Sequence, residues 1–376
     1  IKQNPEPEGH NGGLDPAWET LSTACRINWA WPFVLAVAQK SSSFSDRTLI
    51  ELAKMFYAHA EHLTKYSGHC NWYIAESTAI LTVASYFPEF KRARNWFKEG
   101  KQRLEKQMRE QVFPDGVQFE LTPGYHTMCM HLFYQAYTQL AFRKEKFSSE
   151  YQKRLWKMGD YLAAISRPDG SYPVMNDAGC ALPKGNERLK EIAEREKRTD
   201  WLWAATGGKK GKRPSFLSRY FPDAGYCIMR SGWEKDDFWA FFDMGALGAA
   251  HQHEDKLQVE FYAWGTPFII DPGISSYQKD PIVDFFRTSW AHNTLGIDGL
   301  AQWRKKEYNL RKLSASSRKS QNVWLTTSLL EFAQSCYQDI YGDYKKEVIQ
   351  NIKHTRALIF VKKDYWIVLD KVEGRG

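Results

Sequence analysis

The run His251-Gln252-His253-Glu254-Asp255 gathers two imidazoles and two carboxylates, and it leads directly into Lys256-Leu-Gln-Val-Glu-Phe-Tyr262. The alternation of that second run reads as a strand with Leu257, Val259 and Phe261 on its buried face. Titratable groups concentrated at the mouth of a strand mark a candidate site. In an extended chain residues i and i+2 point the same way, so His251 and His253 can converge on one ion or one substrate group. Further on, Phe268-Ile-Ile-Asp271-Pro-Gly273 ends an apolar strand on a carboxylate and a turn, and Ala291-His292-Asn293-Thr294 opens another β run. His253, Asp271 and His292 on neighbouring strand ends would offer two imidazole nitrogens and one carboxylate oxygen, a donor set suited to zinc. A hydrogen-bonded cluster of polar strand ends uses the same residues and is the alternative.

Two kinds of element must position these groups. From about Asp15 to about Ala205 apolar residues recur at helical spacing, broken by turn material such as Phe113-Pro-Asp-Gly and Arg167-Pro-Asp-Gly-Ser. The clearest helices span 71–86, 89–110, 124–143 and 149–166. A basic stretch, Gly207-Gly-Lys-Lys-Gly-Lys-Arg-Pro, reads as a linker or exposed loop. Short β runs follow at 225–230, 238–243, 257–263, 267–270, 323–328, 357–361 and 365–370. Helices first and strands afterwards predict an α+β chain: a helical domain over 1–206, a linker over 207–224 and an antiparallel β domain over 225–376. The last hairpin stops at Val372-Glu-Gly-Arg-Gly376, so the β domain reads as incomplete and the native protein as longer.

With 376 residues, 43% hydrophobic and 26% charged, the chain can bury a large globular core. No stretch approaches the roughly 20 uncharged apolar residues of a membrane span, and the start lacks the layout of a signal peptide. The net charge of +8 favours acidic partners, but basic residues are spread along the chain and give no nucleic-acid signature. A polyanionic polysaccharide suits that charge, and 15 Trp supply flat faces for sugar rings, although most aromatics are read as core. The six cysteines lie far apart without a Cys-x-x-Cys pair, so neither a disulfide framework nor a thiolate metal site is indicated.

The multi-part run Asp243-Met-Gly-Ala-Leu-Gly-Ala-Ala-His251-Gln-His253-Glu-Asp255, then Gly265-Thr-Pro-Phe-Ile-Ile-Asp271-Pro-Gly273, then Tyr277, then Ala291-His292-Asn293-Thr294, resembles the signature of the heparinase II/III-like polysaccharide lyases. In the helical half, Asn71-Trp-Tyr-Ile-Ala-Glu76 and Pro114-Asp-Gly-Val-Gln-Phe-Glu120-Leu-Thr-Pro-Gly-Tyr125-His126 resemble that family's Asn and Tyr segments. Asp15-Pro-Ala-Trp-Glu-Thr with Arg26-Ile-Asn28-Trp29 is similar to the heparinase III branch, and the resemblance runs from about Asp15 to the end. It implies an incomplete α/α toroid followed by an antiparallel β-sandwich, a secreted or periplasmic enzyme, and β-elimination on a uronate-containing polysaccharide.

That reaction explains the residue types. The C5 proton of a uronate is too weakly acidic to leave unless the neighbouring carboxylate is neutralised, so donors must face it as enolate character develops. By resemblance Asn71 and His251 do this, while Tyr125 takes the C5 proton and returns one to the departing glycosidic oxygen. A phenol with an ordinary pKa of ~10 needs nearby positive charge or a donated hydrogen bond for this work. Tyr277 matches a substrate-contacting tyrosine, and Glu76, His126, Arg230 and Asn293 are further candidates for binding substrate or orienting those groups. Zinc on His253, Asp271 and His292 is then mainly architectural, holding strand ends so that His251 faces the cleft. Trp72 stands where many relatives have His, which favours heparan sulfate over alginate. His59 and His62 read as solvent-facing. Hyaluronan or another polyuronate, and a non-catalytic binding protein, are the alternatives. A glycoside hydrolase would need an opposed carboxylate pair, for which Asp115 and Glu120 can be nominated.

Overall fold

The computed structural model describes residues 5–6, 17–179, 185–304, 322–342, 348–362 and 364–374; Asp15, Pro16 and Cys180 lie outside them. The chain packs into two compact units, one of residues 1–112 with 128–155, the other of 113–127 with 156–376.

The first unit is helical. It holds α1 (Thr20–Cys25), a π-helical turn (Arg26–Ala30), α2 (Trp31–Lys40), α3 (Asp46–Lys65), α4 (Cys70–Tyr86) and α5 (Ala93–Gln111). Most of α6 (Pro123–Phe142) and the start of α7 (Ser149–Ile165) also belong to it. From Ile74 to Ser85 every residue of α4 is buried, as expected of an interior helix with no polar face. Its hydroxyls are satisfied within the helix: Ser77 donates to the Tyr73 carbonyl, Thr82 to Thr78 and Ser85 to Leu81. Amphipathic α5 presents Trp96, Gly100, Leu104 and Met108 as its buried face. A Cβ on Gly100 would lie 3.0 Å from that of Leu81, so the glycine permits the close approach of α4 and α5.

His59 and His62 are not solvent-facing as their spacing on a polar-looking helix suggests. Both are buried in tilted ring contacts with Trp18, and His59 also packs on Trp31. His62 Nε2 donates to the Trp18 carbonyl at 2.7 Å, and Arg26 approaches His59 Nε2 at 3.3 Å. Burial, then the Arg26 charge, pushes His59 down to about 3, so it serves as a neutral core residue.

The second unit contains α8 (Glu187–Arg195), α9 (Thr199–Ala205) and the strands. β1 (Arg219–Phe221), β2 (Tyr226–Arg230), β3 (Trp239–Asp243), β4 (Val259–Ala263) and β5 (Thr266–Ile269) form an antiparallel sheet in that order. After α10 (Pro281–Phe286) come β6 (Ala301–Trp303), β7 (Val323–Thr326), β8 (Leu330–Tyr337), β9 (Ile340–Gly342), β10 (Val348–Ile349), β11 (Lys353–Val361) and β12 (Tyr365–Glu373). They make a four-stranded sheet β12-β11-β8-β7 and a three-stranded sheet β10-β9-β6. The basic stretch read as a linker thus runs into β1, which pairs with β2.

The inner strands β2, β3 and β4 are buried on both faces. One face, with Cys227, Met229, Ala240, Phe242, Val259 and Phe261, shares a core with Ala333, Leu358 and Phe360 of the four-stranded sheet. The other face meets the end of α7 and the turn after it. There Arg167 pairs with Glu260, and Arg230 donates to the Ala164 and Ser166 carbonyls. Strand β4 therefore buries Glu260, and the residue before it Gln258, as well as the apolar side read from its alternation. This second buried face is why residues 156–205 cluster with the strands.

Within α7 a Cβ on Gly159 would lie 2.4 Å from the buried Trp201 ring, whose Nε1 is held by Asp160 at 2.9 Å. Gly159→Ala gains about 1 kcal/mol of helix propensity. It must also displace the indole, an overpacking cost of about 1–3 kcal/mol. The thermal unfolding midpoint should fall; an unchanged or higher midpoint would show that the indole moves aside freely.

Candidate functional site

Tyr125 lies in the first turn of α6, which opens on Pro123, where the missing N–H costs nothing. The loop 244–258 is tied to the segment just ahead of it: Ala249 N–H donates to the Phe119 carbonyl at 2.9 Å, and Gln252 Nε2 to the Glu120 carbonyl at 2.6 Å. These bonds bring His251 onto Tyr125, with the rings stacked at 3.9 Å between centroids and 13° between planes. His251 adopts φ +61°, a left-handed conformation that His takes more readily than most non-glycine residues. Tyr277, largely exposed, closes the group: its hydroxyl lies 2.7 Å from that of Tyr125 and 3.3 Å from His251 Nδ1. Burial, then the Tyr125 hydrogen bond and the nearby Asp177 charge, raises the Tyr277 phenol well above its ordinary range, so it remains a proton donor.

Asp177 ties the arrangement together. Its Oδ2 meets His251 Nδ1 at 2.9 Å and Arg287 at 3.4 Å, and its Oδ1 meets His253 Nε2 at 2.9 Å. Burial alone would raise this carboxyl; the hydrogen bonds from both histidines and the Arg287 charge outweigh it and hold it well below the usual carboxylate range. The expectation that His251 and His253 converge on one ion or substrate group is corrected here. Residues 251–255 are not extended, and the imidazoles diverge to opposite oxygens of one aspartate.

His253 turns its other nitrogen to His292, with Nδ1 3.2 Å from Nε2, and His292 Nδ1 meets Asp271 Oδ2 at 3.0 Å. His253, Asp271 and His292 each bring a ligand atom within 4.8 Å of the others, all buried. With Asp177 and Asp271 accepting the N–H of each ring, the two facing nitrogens both present lone pairs. Two lone pairs at that distance are stable only with a cation or a proton between them, and ring nitrogens oriented by carboxylates on their far sides are the usual support of a metal site. The two facing nitrogens fit a metal ion, and Asp271, here turned to the far nitrogen of His292, would have to turn inward to complete the three-ligand set. Asp271 is fixed further by Gln258 Nε2 and by the Gly273 N–H at 2.7 Å.

Other candidates take different places. Arg230 is fully buried, spans a helix end and stacks on Trp233 at 3.6 Å, so it braces the sheet instead of facing substrate. His126 is buried too: Nδ1 accepts from the Gln118 N–H at 3.2 Å and Nε2 donates to the Met158 carbonyl at 3.0 Å. Burial pushes it down to about 3, a neutral structural ring and not a base. Asn293 Nδ2 donates to the Ile270 carbonyl at 3.0 Å, steadying the chain next to Asp271. Glu254 and Asp255, half of the charged run, are both held by Arg304. Asn71 and Glu76 belong to the first unit. Asn71 is buried in the first turn of α4, and buried Glu76 accepts from the Gly68 N–H at 2.8 Å. Asp115 accepts from the backbone N–H groups of Val117, Asp223 and Ala224, and Glu120 is buried. Asp177 and Arg287 escaped the sequence reading: Asn176-Asp177 sits in a turn without periodicity, and Arg287 is one of many scattered basic residues.

A recess of about 280 Å³ adjoins the site, lined by Gly124, Thr127, Tyr172, Ala178, Asn186 and Arg188 among others. Gly124 and Ala178 are the chain neighbours of Tyr125 and Asp177.

Residues 1–194 match the family described as Heparinase II/III N-terminus, and residues 213–376 match Heparinase II/III-like, C-terminal. The chain belongs to the heparinase II/III family. Within it, the chain is 27% identical over 378 aligned positions to a heparin-sulfate lyase of Pedobacter heparinus, covering 96% of this chain and 52% of that protein. It is also 27% identical over 371 positions to a heparin-sulfate lyase of Bacteroides stercoris, again covering 52% of the relative. The chain thus spans about half the length of the curated relatives it matches. The solved heparan sulfate lyase of Pedobacter heparinus superposes with a TM-score of 0.72 at 24% identity, over 100% of this chain and 57% of its own. A solved heparinase III gives 0.79 at 22% identity, over 58% of its length. These likenesses show the family fold, helices first and antiparallel sheets after, as the resemblance implied.

Proposed function

We propose that this heparinase II/III chain carries a polysaccharide lyase site that cleaves an acidic glycosaminoglycan, heparan sulfate first, by β-elimination. The observation that carries the reading is the Tyr125–His251–Tyr277 constellation, two phenols and an imidazole in mutual contact that can pass a proton. The heparin-sulfate lyase relatives and the charge of +8 support the polymer. In this mechanism the Tyr125 phenolate removes the C5 proton, the C4–O4 bond breaks as the C4=C5 bond forms, and Tyr125 returns its proton to the leaving oxygen. His251, held through Nδ1 by Asp177, would act on the uronate carboxylate as an imidazolium that donates from Nε2, its charge balanced by Asp177, and Asn71 is assigned to the same carboxylate by resemblance alone. Arg287, partly exposed beside Asp177, suits a carboxylate or sulfate through its planar fork.

Zinc is the ion proposed for His253, Asp271 and His292; when bound it supplies positive charge that fixes the strand ends around His251. Of the division into 1–206, 207–224 and 225–376, a helices-first and strands-after order is kept as a proposal, with the boundary moved to 195–212 where the family matches break; residues 219–221, read as linker, form β1. Secretion or a periplasmic location is proposed by likeness to the family; among the described residues no helix is long and apolar enough to cross a membrane.

Near-ultraviolet absorbance followed with heparan sulfate, heparin, hyaluronan, chondroitin sulfate and alginate tests the reading. Elimination leaves a conjugated unsaturated uronate, so a rise on heparan sulfate is expected. New reducing ends without absorbance would mean hydrolysis, and silence on every polymer would leave a binding protein.

Tyr277 gives a pH prediction. Its phenol, held protonated, donates to Tyr125 and so favours the Tyr125 phenolate. Activity should rise with pH as the base ionises, and Tyr277→Phe, by removing the donor, should move that limb of the kcat/KM profile to higher pH. A profile that keeps its midpoint while KM rises would make Tyr277 a substrate contact only.

A further inference from the structure

Asp177 is the only group among the described residues seen to bond both to the imidazole proposed for catalysis and to an imidazole of the metal triad. Its side chain is almost fully buried, and its two oxygens are divided between the two: Oδ2 holds His251 Nδ1 and Oδ1 holds His253 Nε2, each at 2.9 Å. The backbone repeats the link. Asp177 N–H donates to the His251 carbonyl at 3.3 Å, and the neighbouring Asn176 takes the His253 N–H on Oδ1 at 3.0 Å. Asn176 Nδ2 in turn donates to the Leu121 carbonyl at 3.1 Å, four residues ahead of Tyr125. Asn176 and His251 both sit at positive φ, a left-handed turn conformation that Asn and His adopt more readily than other side chains. A rigid carboxylate with one oxygen on each ring cannot release or turn one imidazole without changing its grip on the other.

We propose that Asp177 is a positioning residue that couples occupancy of the His253/Asp271/His292 metal site to the orientation of His251. Metal binding and a correctly set acid–base site are then one linked equilibrium. An ion on His253 Nδ1 fixes that ring, the ring fixes Asp177, and Asp177 fixes His251 under Tyr125. Linkage makes the effect reciprocal, so weakening the Asp177 hold must also weaken the metal site. The inference rests on the proposed metal reading but needs no polysaccharide to be tested.

The test uses the 376-residue chain loaded with zinc, and Asp177→Asn, which keeps the shape but can accept from only one of the two rings. Zinc affinity is read by competition with a chelator. The His251 Nδ1–H proton is followed by imidazole NMR, assigned by its loss in His251→Ala. Asp177→Asn should bind zinc about 10–100-fold more weakly, the scale for losing a group that orients a ligand. Stripping zinc from the wild type, which requires no variant, should broaden or shift the His251 Nδ1–H signal. On heparan sulfate, Asp177→Asn should lower kcat with KM within a few-fold. Stripping zinc should add little further loss to Asp177→Asn, because the coupling has already been cut. Wild-type zinc affinity in Asp177→Asn, or a His251 signal indifferent to zinc, would overturn the coupling. Failure of the wild type on every polymer would instead sink the lyase reading and leave the zinc and NMR results to decide this one.

Discussion

Tyr125→Phe is expected to lower kcat on heparan sulfate about 10⁴-fold with KM changed only a few-fold. The phenol is asked to remove the C5 proton and to protonate the leaving oxygen, and a positioned acid–base group contributes about 10²–10⁴-fold. A loss of that size corresponds to about 5.5 kcal/mol of barrier. The ring itself remains, so its stack on His251 at 3.9 Å should survive and the variant should fold normally. What disappears is the hydroxyl that lies 2.7 Å from Tyr277. The check is the rate of absorbance increase under saturating substrate, alongside near-ultraviolet circular dichroism to verify packing. If Tyr125→Phe keeps more than a tenth of the wild-type rate, another group takes the proton, and the assignment of base and acid to Tyr125 falls.

The second large effect is expected at His251. In the proposed elimination its imidazole faces the uronate carboxylate as negative charge builds, and removing one such preorganised donor costs about 10²–10³ in kcat. His251→Ala should fall in that range, short of the Tyr125→Phe loss, because Tyr125 is asked to carry both proton transfers. The substitution also takes a hydrogen bond from Asp177 Oδ2, which retains the longer Arg287 contact at 3.4 Å. Zinc affinity should therefore weaken along with turnover if the Asp177 coupling holds. A variant with normal kcat and raised KM would place His251 in ground-state binding instead. Wild-type values for both would remove it from the site.

Much of the fold was legible because periodicity is a local property. The helices read at 71–86, 124–143 and 149–166 lie within a residue or so of α4, α6 and α7, and the strands at 225–230, 238–243 and 365–370 largely coincide with β2, β3 and β12. The burial of particular polar residues was less accessible. Arg230 and His126 carry the chemistry of binding groups, yet one ties carbonyls beneath the sheet and the other has both nitrogens committed to backbone. His59 and His62 sit on a helix with a polar-looking pattern, but tilted ring contacts with Trp18 cover them. In each case the deciding neighbour lies far along the chain, where spacing carries no information.

The sequence by itself determined which residue types were present for acid–base chemistry and metal binding, but not the strand ends expected to carry them: His292 follows the 3-10 turn Ser289–Ala291 instead of opening a β run, and His253 lies in the loop six residues before β4. His253, Asp271 and His292 could be chosen from the motif, with Asp271 closing the apolar run 268–270. Only the tertiary structure decided that Asp177, from a turn 74 residues before His251, would lie between the two histidines. It also decided that Glu254 and Asp255 would be taken up by Arg304. A carboxylate acquires its role from whatever donors surround it once buried, since an unpaired charge in the interior costs several kcal/mol. Those donors are assembled by packing, not by order along the chain.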